Sequence, residues 1–530
     1  MNFCKEFVYV FLTINCIYNV STLYAQEAFR KEWSNFQGYN GAYIPSALYS
    51  GEVSSASNVS LENGVIETAL GITTVAIAQG SNAIYGFVPF ENTSKQTLVF
   101  WSANAGSWQE MTTGLATSYI TYGVGTSSVT NGNTIIGDGT DFTTNVKSGD
   151  DWKCNADADS AYINIATVVS ASSLTLTSNY TGGCSTSSAY KIRKTFAISS
   201  TRPYYTGTNL NGWSLLLTGA DPAEMYDGTN LFTNVSIGSA AVAVTHKNRW
   251  FTANRVEAPD NVYWGPVNST ASWNTTATEP VFSADGSGGI VGIISDDTSL
   301  VIFKRYGKIY RMYGEFLTAV GRPDSILEVP VPFTLGQVAL RTIKRYNNAI
   351  WFVTSNGLYS LRGNEIKLMG RNFEPQIDFA CTEQLVCTPA QQQSVFSGVF
   401  KDNLYINFDN VVGIIDSGGN AILRSAGNAM FGGFANFNQN FYAGSNEATN
   451  IRVLQLETDG NFSNYITNNT TSAVNINYIS ESYCGEAPEL QKDYKDLYVL
   501  YEESPSSATV GLNQLLVDTL IDDTSNYMAV

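Results

Sequence analysis

The sequence predicts an all-β protein: a β-propeller-like ring of six to eight antiparallel blades, interrupted by one small inserted β-sandwich or barrel module. Three observations carry this expectation. Charged residues make up 14% of the 530 positions, well below the usual quarter, and Gly, Ser, Thr and Asn fill the gap. Tyr (30) and Phe (27) are abundant while Pro is scarce (14), a mixture that suits short strands and polar turns rather than helical bundles of Ala, Leu, Glu and Lys. A strand–turn–strand unit also recurs at a spacing of roughly 45 to 50 residues, as expected of blades that cannot bury their faces alone.

The units follow one another along the chain. Leu98–Trp101 leads through Asn104–Gly106 to Ser107–Met111, and Trp213–Leu217 leads through Thr218–Pro222 to Glu224–Tyr226, with Asp227-Gly228 turning the chain again. Leu300–Phe303 turns at Lys304–Gly307 into Lys308–Met312. Ala349–Val353 turns at Ser355-Asn356-Gly357 into Leu358–Leu361, Gly363-Asn364 precedes Glu365–Leu368, and Asn403–Phe408 opens a further unit. Asn-Gly and Asp-Gly supply the positive φ that tight hairpins need. The strands are β-branched and aromatic runs too short for helices. Radial packing of such hairpins covers their faces and leaves few open edges.

Between Tyr119 and Phe196 the rhythm breaks into about six brief strands with Gly, Ser, Asn and Thr turns, including Tyr162–Val169 and Ser173–Thr177. The expected organisation is therefore residues 27–118 as the first part of the propeller, 119–196 as an inserted small β-domain, and 197–488 as the remainder. Residues 489–530 contain a long strand, Tyr494–Tyr501, that closes the ring or starts a further β-segment. Residues 1–26 read either as a signal-like segment or as an N-terminal strand: Lys5 precedes an apolar run from Phe7 to Val20, and Ala25 stands at a cleavage position. No later stretch approaches the apolar length of a membrane helix, so no membrane insertion is predicted.

The net charge of −17 argues against a surface that neutralises phosphates along its length. Lys304-Arg305, Lys344-Arg345 and Arg193-Lys194 are the candidate basic strips, with solvated strand edges as the alternative reading. The seven cysteines form no CxxC pair, which excludes zinc ribbons and thioredoxin-type redox sites. Cys154/Cys184 and Cys381/Cys387 are each spaced to pair, with free thiols as the alternative.

Catalytic chemistry is restricted from the start. His246 is the one histidine, so HExxH and multi-histidine metal sites are excluded, and a Ser-His-Asp triad would need it as base. Its place after the apolar strand Ala241–Val244 reads as a strand-end structural histidine. Asn155-Ala-Asp157-Ala-Asp159 begins like a calcium loop, but Ser160 replaces the required Gly and Ala166 stands where the bidentate Glu belongs. Ser283-Ala-Asp285-Gly286 hints at a sialidase-type box without the Gly and Trp that should follow. The expectation is a protein that is not an enzyme, with no catalytic, cofactor-binding or metal-ligating residues and no cofactor.

The segments His246–Ala253, Asp260–Gly265, Ala271–Trp273, Ser299–Lys304 and Lys308–Gly314, with Leu217–Pro222 and Tyr226–Gly228 upstream, resemble tailed-bacteriophage structural proteins of the β-propeller type, similar to tail nozzle and stopper components. Gly137–Phe142, Gly149-Asp150 and Ser173–Leu176 likewise resemble a small β-module common in phage virion proteins. The resemblance implies a virion protein of the tail, in a ring of identical subunits around a channel that DNA traverses without sequence-specific binding. Its partners would be copies of itself and other tail or head–tail connector proteins. The acidic balance suits a lumen that repels phosphate. The signal-like start and the many aromatics support the alternative, a secreted or surface propeller that binds glycan or protein.

Overall fold

The computed structural model describes, with short gaps, residues 84–373 and 395–458, and outside them 9–14, 29–33, 38–40, 52–57, 59–60, 67–68, 71–77, 463–466, 470–473, 477–480, 496–500, 518–520 and 527–529. The chain divides into two units, one made of Met1–Phe36, Glu62–Glu67 and Cys484–Val530, the other of Gln37–Leu61 and Thr68–Tyr483. In the first, strand Tyr9–Ile14 pairs antiparallel with Phe29–Trp33 on one side and Asp496–Leu500 on the other.

The second unit is a seven-bladed propeller. Blade 1 runs Val88–Glu91, Gln96–Ser102, Ser107–Thr112, Thr117–Tyr119, and blade 2 Thr206–Leu210, Trp213–Leu217, Ala223–Tyr226, Leu231–Asn234. Blade 3 is Val242–His246, Arg249–Ala253, Asn261–Trp264, Ala277–Pro280, and blade 4 Ile290–Ser295, Leu300–Lys304, Ile309–Tyr313, Ser325–Glu328. Blade 5 is Val338–Tyr346, Ala349–Thr354, Gly357–Arg362, Glu365–Leu368, and blade 6 Val395–Phe400, Asn403–Phe408, Val411–Ile415, Ala421–Ser425. Blade 7 takes Phe431–Phe437, Asn440–Ser445 and Arg452–Thr458 from late in the chain and its fourth strand, Gly71–Ile77, from early in it. This exchange closes the ring and covers an edge that would otherwise be open.

The first strand of each blade lies against the first strands of its two neighbours in cyclic order, blade 7 meeting blade 1. Two-residue turns between first and second strands repeat around the ring. Lys247-Asn248, Asn347-Asn348, Lys401-Asp402 and Asn438-Gln439 all have positive φ at both positions, as does Asn211-Gly212. That geometry matches the twist of the strands it joins. The core is a series of wedges between neighbouring blades. Phe251, Val262 and Trp264 of blade 3 pack on Leu300, Ile302 and Tyr310 of blade 4, whose other face sets Val301, Phe303 and Ile309 against Ile350, Phe352 and Leu361 of blade 5.

Side-chain hydrogen bonds stitch the boundaries. Thr245 of blade 3 donates to the Asn209 carbonyl of blade 2 at 2.6 Å. Lys304 of blade 4 pairs with Asp260 of blade 3 and donates to the Val281 carbonyl at 3.0 Å. Ser397 of blade 6 donates to the Thr342 carbonyl of blade 5 at 2.9 Å, and Arg424 of blade 6 pairs with Glu457 of blade 7.

Residues 121–193 form a separate seven-stranded sheet between blades 1 and 2. Its path runs from Thr121–Tyr122 through Tyr190–Arg193, Asp151–Cys154, Ile163–Ser170, Ser173–Leu176 and Thr134–Asp138 to Thr126–Thr130. A bridge between Ser127 and Ser188 brings the last strand back beside the chain entering Tyr190–Arg193, so the sheet curls into a small barrel. Trp152, Phe142, Ile165, Leu174 and Tyr190 fill it, and Cys154 and Cys184 are disulfide-bonded with Cα atoms 5.6 Å apart. Cys381 and Cys387 lie outside the described residues.

Candidate functional site

Most residues that the sequence marked as chemically interesting hold the ring together. His246 ends the first strand of blade 3, buried, with its ring edge-on to Phe251 and Phe316. Its Nδ1 lies 2.8 Å from the Ser295 hydroxyl of blade 4. Its Nε2 is buried with no hydrogen-bonding partner among the described residues, and no carboxylate orients the ring. Burial, reinforced by the neighbouring Lys247 charge, lowers its pKa and favours the neutral imidazole. This is a blade-boundary contact, and among the described residues no carboxylate hydrogen-bonds the ring as the acid of a triad does.

Asp285, in the sialidase-like stretch, is engaged in its own loop. It accepts from the Ser287 amide at 2.9 Å and from the Tyr310 hydroxyl at 2.5 Å. Burial alone would raise its pKa, but these bonds hold the carboxylate below its ordinary range. Asp159 of the calcium-like stretch lies outside the described residues, and no three-ligand cluster occurs within them.

The candidate basic strips separate into two kinds. Lys304 is paired with Asp260, Arg193 with Asp151 at 2.5 Å, Lys194 with Glu224 at 2.5 Å and Arg345 with Asp297 at 2.7 Å. Arg305 stands in the turn after blade 4's second strand. These side chains therefore do not make a phosphate-binding stripe. Lys344 is different: no carboxylate pairs with it among the described residues, and it opens onto the propeller's central cavity.

That cavity, of about 300 Å³, lies where the first strands converge. It sits at the low end of the size range of small-molecule pockets. Gly433 is needed there because a Cβ would come within 2.7 Å of the Gly86 backbone, and a Cβ on Gly292 would meet Ile343 at 2.3 Å. With glycine at these points of closest approach, the wall also includes Phe87, Phe396 and Phe434, aliphatic side chains, the hydroxyl residues Thr206 and Ser397, and Arg341 and Lys344 of blade 5. No Asp or Glu is among its described lining residues.

A long irregularity in blade 5 places the two cations. Pairing between its first and second strands jumps from Ala339↔Val353 to Lys344↔Trp351, so five steps on one strand face two on the other. Thr342 repairs the ladder: its hydroxyl accepts from the Val353 amide at 2.8 Å and donates to the Ala339 carbonyl at 2.6 Å. Arg341 donates to the Gly432 carbonyl of blade 7 and lies over the Phe396 ring of blade 6, 4.7 Å from its centroid. Lys344 is exposed to the lumen, with the surrounding protein displacing part of its hydration. That desolvation, and secondarily the Arg341 charge, lowers the pKa of its ammonium. Lys344 is visible in the sequence as part of a basic pair, but nothing there joins Arg341 to it: three residues apart, the two cations would fall on opposite faces of a regular strand.

A comparison with protein-family models finds no match, and one with curated proteins finds none. Among solved structures the chain is similar to a streptogramin B lyase, with 10% identity and a TM-score of 0.41 over 73% of this chain and 98% of that one. Selenomethionine-substituted virginiamycin B lyase from Staphylococcus aureus gives 11% identity and 0.40 over 73% and 99%. The Pan2 WD40 domain of Neurospora crassa gives 7% and 0.38 over 75% and 98%. These likenesses carry no inference about activity; the blade order is read from the strand pairing itself.

Proposed function

We propose that this chain is a non-catalytic structural component of a phage tail, nozzle- or stopper-like, repeated as a ring at the head–tail axis. One observation carries the reading. Of the sequence words that resemble those proteins, His246–Ala253 and Asp260–Gly265 fall on strands of blade 3 and Ser299–Lys304 and Lys308–Gly314 on strands of blade 4, Ala271–Trp273 lies outside the described residues, and Asp260 of one word pairs with Lys304 of another across the boundary between the two blades. The words are thus packing words of a closed propeller, the role they have in the resemblance. The cavity of about 300 Å³ is far too small for a duplex, so in this reading DNA passes between copies of the chain and not through one propeller. A closed ring of identical subunits repeats a single contact, and in this reading the propeller and its appended barrel supply the surfaces that make it. Mass spectrometry of purified particles tests the assignment: the chain should be present in several copies per particle alongside portal and capsid proteins, and its absence would refute the reading.

The bond between Cys154 and Cys184 favours a second reading, a secreted or surface propeller that binds glycan or protein, because disulfides persist in oxidising compartments. Among the described residues no helix is long and apolar enough to cross a membrane. Recovery of the chain from culture medium as a monomer, with no particle, would select this reading.

A further inference from the structure

We propose that the central cavity of the propeller is a binding site for a small amphipathic anion, one carboxylate or phosphate on an apolar or aromatic body. The cavity is lined by Phe87, Phe434 and aliphatic side chains together with Thr206, Ser397 and glycine backbone, and it carries two cations with no acid among its described lining residues. The cations come from one strand, at a bulge that departs from the regular ladder of the blade. Bulges of this kind re-aim side chains and are over-represented beside functional sites. The bulge is held in place, since Thr342 supplies the lost ladder bond and Ser397 of the next blade fixes the Thr342 carbonyl. Arg341 is braced by the Gly432 carbonyl and by the Phe396 ring.

Lys344 is exposed to the lumen with no carboxylate paired to it among the described residues, and an anion entering the cavity would pair with it and offset the repulsion from Arg341. Phe87 and Phe434, both half-buried at the lumen, supply the apolar part of the fit. An acidic protein surface would be too large for a space of about 300 Å³. The inference concerns the propeller's own lumen and stands apart from the tail assignment.

The test is titration calorimetry on the full chain with phenyl phosphate, benzoate, benzyl alcohol and inorganic phosphate. Phenyl phosphate or benzoate should bind at least tenfold more tightly than benzyl alcohol, and the tighter of the two identifies the preferred headgroup. Lys344→Met should weaken that binding at least tenfold. Arg345→Met, which changes the neighbouring cation already paired with Asp297, should leave it unaltered. The comparison among ligands uses the unmodified protein and so holds even if a variant fails to fold. Equal binding of benzyl alcohol, unchanged binding in Lys344→Met, or no binding of either aromatic anion would overturn the proposal.

Discussion

Lys194, at the end of the inserted barrel, and Glu224, on the third strand of blade 2, meet 2.5 Å apart with their side chains 3% and 2% exposed. Thr233 of blade 2 joins them, its hydroxyl accepting from the same ammonium. Nearby, the Thr233 amide donates to Asn145 of the barrel at 3.2 Å and the Gly123 amide donates to Asn230 at 3.1 Å. Phe232 packs edge-on to Tyr122 of the barrel. The barrel has its own core, yet it is bolted to blade 2 through a buried charge.

Excising residues 119–196 and bridging with a Gly/Ser linker should therefore do more than remove a module. It removes Lys194, the cation that meets Glu224 at 2.5 Å, and taking away one partner of a buried pair is destabilising. The deleted protein should unfold at a clearly lower temperature, and Glu224→Gln on that background should recover much of the loss. Equal stability of the deletion with and without Glu224→Gln would contradict the role of the pair.

The same pair gives a pH signature. Burial pushes the Glu224 carboxyl up from 4.5 to about 7, although Lys194 opposes the shift. The folded state then holds a proton that the unfolded chain releases at lower pH. This contribution to stability is fully present below about pH 4.5 and is lost as pH rises through about 7. Thermal melts between these values should show the unmodified protein losing stability relative to Glu224→Gln as pH rises. A pH-independent difference between the two would refute the assignment.

In blade 5, Thr342→Val removes the hydroxyl that accepts from the Val353 amide and leaves that buried group without a partner. The expected loss is about 1–3 kcal/mol, while Thr342→Ser should lose much less. Hydrogen exchange at Val353 is the local readout: protection should fall in the valine variant and persist in the serine variant.

Much of the propeller was legible in the sequence, and the parts that were not have physical reasons. The hairpins read from sequence, such as Leu300–Phe303 with Lys308–Met312, are the second and third strands of their blades. These are buried on both faces and so rich in large apolar residues. First strands such as Thr206–Leu210 and Phe431–Phe437 were passed over because close convergence puts Gly, Thr and Asn there. Fourth strands such as Ala277–Pro280 are half-exposed and polar. Turns such as Lys401-Asp402 were missed because they reach positive φ without glycine. The lumen cations were half-visible: a bulge that no local pattern announces decides where Arg341 and Lys344 point.

Reduction bears on the barrel. The Cys154–Cys184 bond closes a loop of 30 residues, worth about 3–4 kcal/mol in the chain-entropy account. Thermal melts with and without reductant should differ for the unmodified protein and coincide for the Cys154→Ser/Cys184→Ser double variant. A reductant effect that persists in the double variant would place the sensitive bond elsewhere.

Electron microscopy of purified particles decides whether this propeller is the proposed ring component of a phage tail. Density at the head–tail axis should accommodate the seven blades and the appended barrel, repeated around the axis. Particles whose axial density fits other chains, together with this chain recovered only as a secreted monomer, would rule the proposal out.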